Sequence, residues 1–450
     1  MVYKAGGFYM KKKLSLLLAF LFTFMSFNVA YGETEKEEPV EPRIKAVSAI
    51  SVDLSTNEII LTKEPHEKMF PASITKLMTA LILAENRKPE DLIAIEETAL
   101  AAEPFAINTN LYILYPGDSI TVENALYAIL LASANDMAVA AAIDLGGSIE
   151  NFAKMMNTKA KTLGMNETNF MNPTGLHDEN HYTTAYDLSL LMKAAYENPV
   201  LKPIMGTKTH DIRTTDQPIG EIEHTADTIT MDGHVAAKTG YTEEAGNCLA
   251  SVYSREGRDI VMVVLKSSDN FGSTQTFTDM KTLADESFAM KKSLLVTKGD
   301  PVAPIEQTYK LFKWFGPEKK LSVKSIAAED VSFYNNTLNA ESNSVKVVPL
   351  KELDVFSLKK GAKVADLEVN IDKIKETTYS TSESSALDLL YIPNAVTYLS
   401  AAAGALIGTI LLLFIIFKLF RMRASTQKKI LAKRQERRRK VSRYNKDREL

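Results

Sequence analysis

The sequence predicts an α+β fold, and three observations carry that expectation. Strand-like runs occupy both ends of an exported segment, 46–61 and 235–265, while the stretch between them has helical spacing. From residue 293 onward the texture changes to short alternating segments, which suggests a small all-β domain. A charge-free run from Leu389 to Phe417 then closes the ordered pattern.

In chain order, Ala46–Leu54 has strand character, Ser55-Thr56-Asn57 supplies a turn, and Glu58–Leu61 is the return strand of a hairpin. Pro71 sits where a first helical turn tolerates proline, and Ile74–Ala84 continues a helix. Val122–Leu145 is an Ala- and Leu-rich helical stretch, and Ile149–Leu163 is an amphipathic one. Asn172-Pro173-Thr174-Gly175 is a loop. Thr184 and Asp187 have capping-box spacing ahead of a helix over Leu188–Tyr196. Val235–Tyr241, Asn247–Tyr253 and Ile260–Leu265 read as three strands, and Phe277–Phe288 as a helix. The β-domain shows in Leu321–Ile326, Val345–Val348 and Val364–Ile371, and the Ser/Thr-rich Glu376–Ser385 looks like a tether.

The 450 residues carry a net charge of -3, which hides a strong segregation. Residues 1–32 are basic and acid-free, residues 418–450 hold a surplus of about +11, and about -18 remains for 33–417. That acidic middle argues against a nucleic-acid partner. Lys11–Lys13, the apolar run Leu14–Phe27 and the small residues Ala30 and Gly32 predict an export signal over 1–32, with an uncleaved anchor as the competing reading. Ala395–Phe417 is long enough to cross about 30 Å of hydrocarbon, and the Lys/Arg cluster after it predicts that the helix enters from outside, with its basic tail cytoplasmic and near anionic lipid. The expected organisation is therefore a signal at 1–32, a large α+β domain at 40–292 and a β-domain at 293–375. A linker at 376–390, a membrane helix at 391–417 and a basic tail at 418–450 complete it. A single cysteine, Cys248, excludes a disulfide framework and a Cys-based metal site.

Ser73-Ile74-Thr75-Lys76 places a hydroxyl and an amine three residues apart on one face of a helix. The amine can activate the hydroxyl if burial or a second cation lowers its pKa. The four-residue pattern is weak alone, since Ser357–Lys360 and Ser425–Lys428 also match it. Its partners decide: Ser133-Ala134-Asn135 lies between helical stretches, and Lys238-Thr239-Gly240 lies on a strand. Ser-x-x-Lys, Ser-x-Asn and Lys-Thr-Gly, in that order, are the signature of the serine acyl-transferases that include penicillin-binding proteins and β-lactamases. Ser268-Asp269-Asn270 imitates the middle motif but follows Lys-Thr-Gly, so it is read as a turn.

With Pro71–Thr79, Asn172–Leu176 and the long interval from Ser73 to Lys238, most of the exported chain resembles the low-molecular-mass D-alanyl-D-alanine carboxypeptidases. The resemblance implies a β-lactamase/transpeptidase-like fold: a five-stranded antiparallel sheet flanked by helices, followed by a smaller β-domain near the membrane. It implies Ser73 as nucleophile, Lys76 as general base and Ser133 as proton relay. Asn135 would hold the substrate amide or Lys76, while Lys238 and Thr239 would bind the terminal carboxylate. Gly240 would let the substrate backbone lie close, and the N–H groups of Ser73 and Tyr241 would form the oxyanion hole. The implied partners are peptidoglycan stem peptides and acylating β-lactams. A peptidoglycan endopeptidase or a non-catalytic penicillin-binding scaffold are the alternatives. A full membrane span departs from the family's amphipathic anchor.

Glu167 and Asn172 do not have the spacing of a class A β-lactamase's water-activating pair, so penicillin is expected to inhibit rather than turn over. His177–His181 lacks the zincin pattern and lies in a loop; no metal or cofactor is expected.

Overall fold

The computed structural model describes residues 38–104, 106–226, 231–372 and 374–446. The expected export signal at 1–32 lies outside them. Two compact units emerge: Met1–Met290 with Asn335–Ala340, and Lys291–Tyr334 with Glu341–Leu450.

The first unit is built on five antiparallel strands. β1 (Ser48–Asp53) and β2 (Ile59–Lys63) form the expected hairpin, and β3 (His234–Thr242), β4 (Gly246–Arg255) and β5 (Arg258–Leu265) follow the helical middle of the chain. The sheet order is β2-β1-β5-β4-β3, so the chain's two ends meet where Ser48–Asp53 pairs with Ile260–Leu265. β4 and β5 are buried along nearly their whole length, as strands covered on both faces must be. The covering helices are α1 (Lys76–Asn86), α2 (Val122–Leu130), α3 (Asn135–Gly146), α4 (Ile149–Thr162), α5 (Ala185–Glu197) and α6 (Gln275–Ala289). Thr184 caps α5 as its spacing predicts, its Oγ1 accepting from the Asp187 N–H at 3.0 Å. The Asp187 carboxylate instead accepts from Glu167 N and Thr168 Oγ1 and so ties down the preceding loop.

Two differences matter for the site. Ser73 does not lie in the α-helix itself but in a 3-10 turn, Ala72–Thr75, that leads into α1. A 3-10 turn eclipses residues i and i+3, which brings Ser73 and Lys76 into line. The expected Val122–Leu145 helix is also two helices, and Ser133 sits in the break between α2 and α3.

A third difference concerns the boundary. Residues 335–340 fall inside the span expected for the β-domain, yet they belong to the first unit. Asn336 Nδ2 donates to the carbonyls of Ile59 (2.8 Å) and Ile60 (3.2 Å), and Asn339 Nδ2 donates to Ile59 O at 3.0 Å. These amides cover carbonyls of β2, an edge strand that would otherwise offer a pairing template.

The second unit holds another antiparallel sheet, of β6 (Pro301–Lys310), β7 (Glu318–Ala327), β8 (Ser344–Pro349), β9 (Lys363–Ile371) and β10 (Ile374–Ser382), in the order β6-β7-β10-β9-β8. The expected tether at 376–390 is corrected here. Its first part is β10, paired on both sides, because alternating Thr, Tyr and Ser suit a pleated strand better than a loose linker. After a π-helical turn at Leu387–Tyr391 comes α7 (Ala395–Lys446), which continues through the basic tail. Among the described residues it is the one helix long and apolar enough to cross a membrane.

Candidate active site

Lys76 and Lys238 are both 0 % exposed, which is the first sign of a site: a lysine is almost never fully buried without a reason. Lys76 Nζ donates to Ser73 Oγ at 2.9 Å and to the Thr174 carbonyl at 2.9 Å. Lys238 Nζ donates to Ser133 Oγ at 3.0 Å and to its neighbour's carbonyl, Thr239 O, at 2.9 Å. The three sequence motifs thus meet as two amine–hydroxyl pairs.

Charge has been tuned by position. Burial, then repulsion from Lys238, holds the Lys76 ammonium well below lysine's ordinary range, against a smaller opposing pull from Asp136. Burial alone brings Lys238 down to about 7. An amine kept short of its proton and placed 2.9 Å from a hydroxyl can take that hydroxyl's proton, and a second amine titrating near neutrality can carry charge for an anion.

The backbone at both hydroxyls is strained. Ala72, just before Ser73, has φ +46°, and Ser133 has φ +58°. Such left-handed conformations in residues other than glycine cost about 1–3 kcal/mol each and persist only where surrounding structure enforces them.

The Asn172–Gly175 loop supplies much of that enforcement at Ala72, a role its sequence does not disclose. Asn172 Oδ1 accepts from the N–H of Thr174 (3.2 Å) and of Gly175 (2.8 Å) and so coils the loop. Thr79 Oγ1 donates to Pro173 O at 2.7 Å. Gly175 has φ +82°, and a Cβ there would lie 1.8 Å from the Ala72 carbonyl oxygen. His181 lies behind it. Burial lowers its pKa to about 4, so the ring is neutral. Its Nδ1 accepts from Met171 N at 3.3 Å, which puts the proton on Nε2, 3.0 Å from Thr75 Oγ1. The histidine loop is therefore a brace, and no cluster suited to a metal occurs among the described residues.

The remaining expected residues are placed as follows. Asn135 opens α3, where its Nδ2 donates to Pro104 O, and its buried Oδ1 has no hydrogen-bond partner among the described residues. Its amide thus bonds Pro104 and not Lys76. Thr239 Oγ1 pairs with Thr225 Oγ1 at 2.6 Å. Gly240 faces the chain's own backbone: a Cβ there would lie 3.0 Å from Ser73 N and from Pro71 O, so its bareness lets β3 run against the Ser73 turn. The Tyr241 hydroxyl donates to Asp269 O at 3.2 Å, and its ring lies 4.9 Å from that of Phe271. The rejected Ser268–Asn270 motif thus buttresses Tyr241. Glu167 is on the surface with His66. Asp136, next to the Ser-x-Asn motif, was missed; its buried carboxylate accepts from Asn108 N (2.9 Å) and Met137 N (2.8 Å). A cavity of about 330 Å³ opens over Ser73, Ser133, Thr239 and Tyr241. Cys248 also touches it, but burial pushes the thiol up to about 12, so it is no rival nucleophile.

A five-stranded antiparallel sheet carrying these three motifs defines the penicillin-recognising serine peptidases. The family model for D-alanyl-D-alanine carboxypeptidases (peptidase family S11) matches residues 34–269, more than half of the chain, and the protein belongs to that family. It is a peptidase of the hydrolase class. The D-alanyl-D-alanine carboxypeptidase DacF of Bacillus subtilis is 27% identical over 361 residues, 79% of this chain and 92% of its own. A D-alanyl-D-alanine endopeptidase of Escherichia coli is 32% identical over 247 residues, 54% of this chain and 77% of its own. Among solved structures, a serine-to-alanine variant of a Streptomyces DD-transpeptidase superposes with a TM-score of 0.52 at 25% identity, covering 56% of this chain and 100% of that one. The carboxypeptidase DacD of Francisella tularensis shares the fold over 80% of this chain and 98% of its own, with a TM-score of 0.55 at 22% identity.

Proposed function

We propose that the protein is a membrane-anchored serine D-alanyl-D-alanine carboxypeptidase that removes the terminal D-alanine from peptidoglycan stem pentapeptides. The observation that carries this reading is the fully buried Lys76 amine, 2.9 Å from Ser73 Oγ and depressed in pKa by burial and by Lys238. Ser73 Oγ attacks the carbonyl of the penultimate D-alanine while its proton passes to Lys76 Nζ. The oxyanion is held by the N–H groups of Ser73 and Tyr241, where one donor is typically worth about 3 kcal/mol. Ser133, held by Lys238, passes the proton that Lys76 has taken up to the departing amine, which leaves as D-alanine and returns Lys76 to its free-amine form. Water then hydrolyses the Ser73 ester with Lys76 again accepting a proton. Protonated Lys238 and the Thr239 hydroxyl receive the terminal carboxylate, and Asn135 Oδ1 accepts from the substrate amide. β-Lactams enter the same cavity and acylate Ser73, and no carboxylate is set to hasten their release.

In this reading α7 crosses the membrane, the catalytic unit lies outside, and the basic residues after Lys418 stay on the cytoplasmic side. An endopeptidase on the same site is the second reading, favoured by the 32% identity to the Escherichia coli enzyme so named. Incubating the full chain with a muropeptide pentapeptide and with a cross-linked dimer separates them. Release of D-alanine from the first at the higher kcat/KM supports the carboxypeptidase; preferential cleavage of the dimer overturns it. Labelling by fluorescent penicillin must vanish in Ser73→Ala.

A further inference from the structure

The turn joining β6 to β7 carries an apolar tip that packing within its unit does not explain. Trp314 is 78% exposed and Phe315 65% exposed. The tip is nonetheless ordered. Phe312 N donates to Phe315 O at 3.1 Å, Leu311 N donates to Pro317 O at 3.1 Å, and the Phe312 and Phe315 rings stack at 5.2 Å. It is also fastened to the start of α7. The Tyr398 hydroxyl donates to Leu311 O at 2.8 Å, its ring meets Phe312 edge-on at 5.7 Å, and Lys319 Nζ donates to Asn394 Oδ1 at 2.7 Å.

The position of Tyr398 sets the depth of this junction. Lys418 is the first charge after the apolar run and marks where the helix leaves the hydrocarbon. At 1.5 Å per residue, about 30 Å of hydrocarbon takes up about 20 residues, and counting back from Phe417 reaches Tyr398. The tyrosine that grips the hairpin therefore lies at the opposite boundary of the bilayer. Aromatic residues concentrate at that level because one part of the ring system prefers hydrocarbon and its polar group prefers headgroups and water. Lys310, Lys313, Lys319 and Lys320 are exposed around the same turn, against Glu318 and against Asp354, which pairs with Lys313 at 2.8 Å. That cationic surplus suits anionic headgroups.

We propose that the β6–β7 turn, Phe312 to Phe315, is a lipid-docking element that rests in the headgroup layer on the side where α7 enters the bilayer. It makes a second, non-spanning contact with the membrane beside the helix. The proposal rests on α7 being a membrane span and goes beyond the catalytic reading.

Trp314 is the chain's single tryptophan, so its fluorescence reports the tip alone. The full-length protein is reconstituted into phosphatidylethanolamine–phosphatidylglycerol vesicles, and flotation first checks the span. Phospholipids brominated near the head of the acyl chain should then remove most of the Trp314 emission. Lipids brominated near the chain end should remove little, and aqueous acrylamide less than it does for the free indole. Strong acrylamide quenching with no effect of brominated lipid overturns the proposal. Shielding from both quenchers also overturns it, in favour of a protein occupant such as a second copy of this chain. A chain that fails to float overturns both the docking and the span, while leaving penicillin labelling of Ser73 untouched as the separate measure of catalysis.

Discussion

The two sheets of this protein are alike in strand number and opposite in use. In the first unit, the central strands β4 and β5 are buried from end to end, and one large apolar cluster runs from them into the surrounding helices. In the second, β6 alternates exposed and buried positions, and the core divides into small clusters around Leu367, Val364 and Leu390. A sheet covered on both faces can hold two lysines wholly out of water and shift their chemistry. A sheet wetted on one face has no such interior, and the serine–lysine match between β8 and β9, Ser357 with Lys360, is exposed at both residues.

Changes that touch the buried chemistry should separate the units most sharply. Lys76→Met removes the amine and fills its space with an apolar chain of similar length. It should lower D-alanine release about 10³-fold with no loss in the unfolding midpoint, because a buried amine short of its proton adds little to stability. Rate assays beside thermal unfolding read both quantities. Gly175→Ala forces a Cβ toward the Ala72 carbonyl at a positive φ, and should destabilise the first unit by about 3 kcal/mol with loss of penicillin labelling. Denaturant titration monitored by labelling checks it. Leu367→Ala, in the core of the second unit, should weaken that unit by about 2–3 kcal/mol while labelling of Ser73 persists, as limited proteolysis would reveal.

Smaller effects sharpen the contrast further. Lys76 must be unprotonated to act and Lys238 protonated to bind, so kcat/KM should rise with pH as Lys76 loses its proton. It should fall again above about pH 7 as Lys238 loses its own. A pH–rate profile extending upward without that alkaline fall would remove Lys238 from the carboxylate-binding role. At the far end, Lys346→Ala breaks a surface pair with Glu368 across β8 and β9 and should change stability by less than about 1 kcal/mol in urea titration.

Local chemistry made much of this legible. Alternation marked β1 to β5, Thr184 marked the start of α5, and the three motifs named Ser73, Lys76, Ser133, Asn135 and Lys238 before any geometry. What stayed hidden depends on distant partners. Ser133 could be placed between helical stretches, but the left-handed backbone that aims its hydroxyl at Lys238 could not be read from an Ala- and Leu-rich run. Gly240 was expected to make room for substrate; that it also makes room for Pro71 and Ser73, more than 160 residues earlier, could not be seen without the fold. The Asn172–Gly175 loop was recognised as a family mark without a task, since its task is to press on Ala72 and receive Lys76. Glu376–Ser385 reads as a tether because serine and threonine suit both linkers and pleated strands, and only the pairing of Ile374–Ser382 with β7 and β9 decides between them.

The asparagines that cover β2 reach beyond architecture into biosynthesis. Asn336 and Asn339 come after all five strands of the first sheet and after β6 and β7 of the second unit. A chain threaded outward from its N-terminus would have to deliver nearly 340 residues before the catalytic sheet gained its last edge. Until then a bare strand faces a crowded surface. Closure of that edge is thereby coupled to synthesis of the second unit, whose first two strands must be made before Asn336 can reach Ile59.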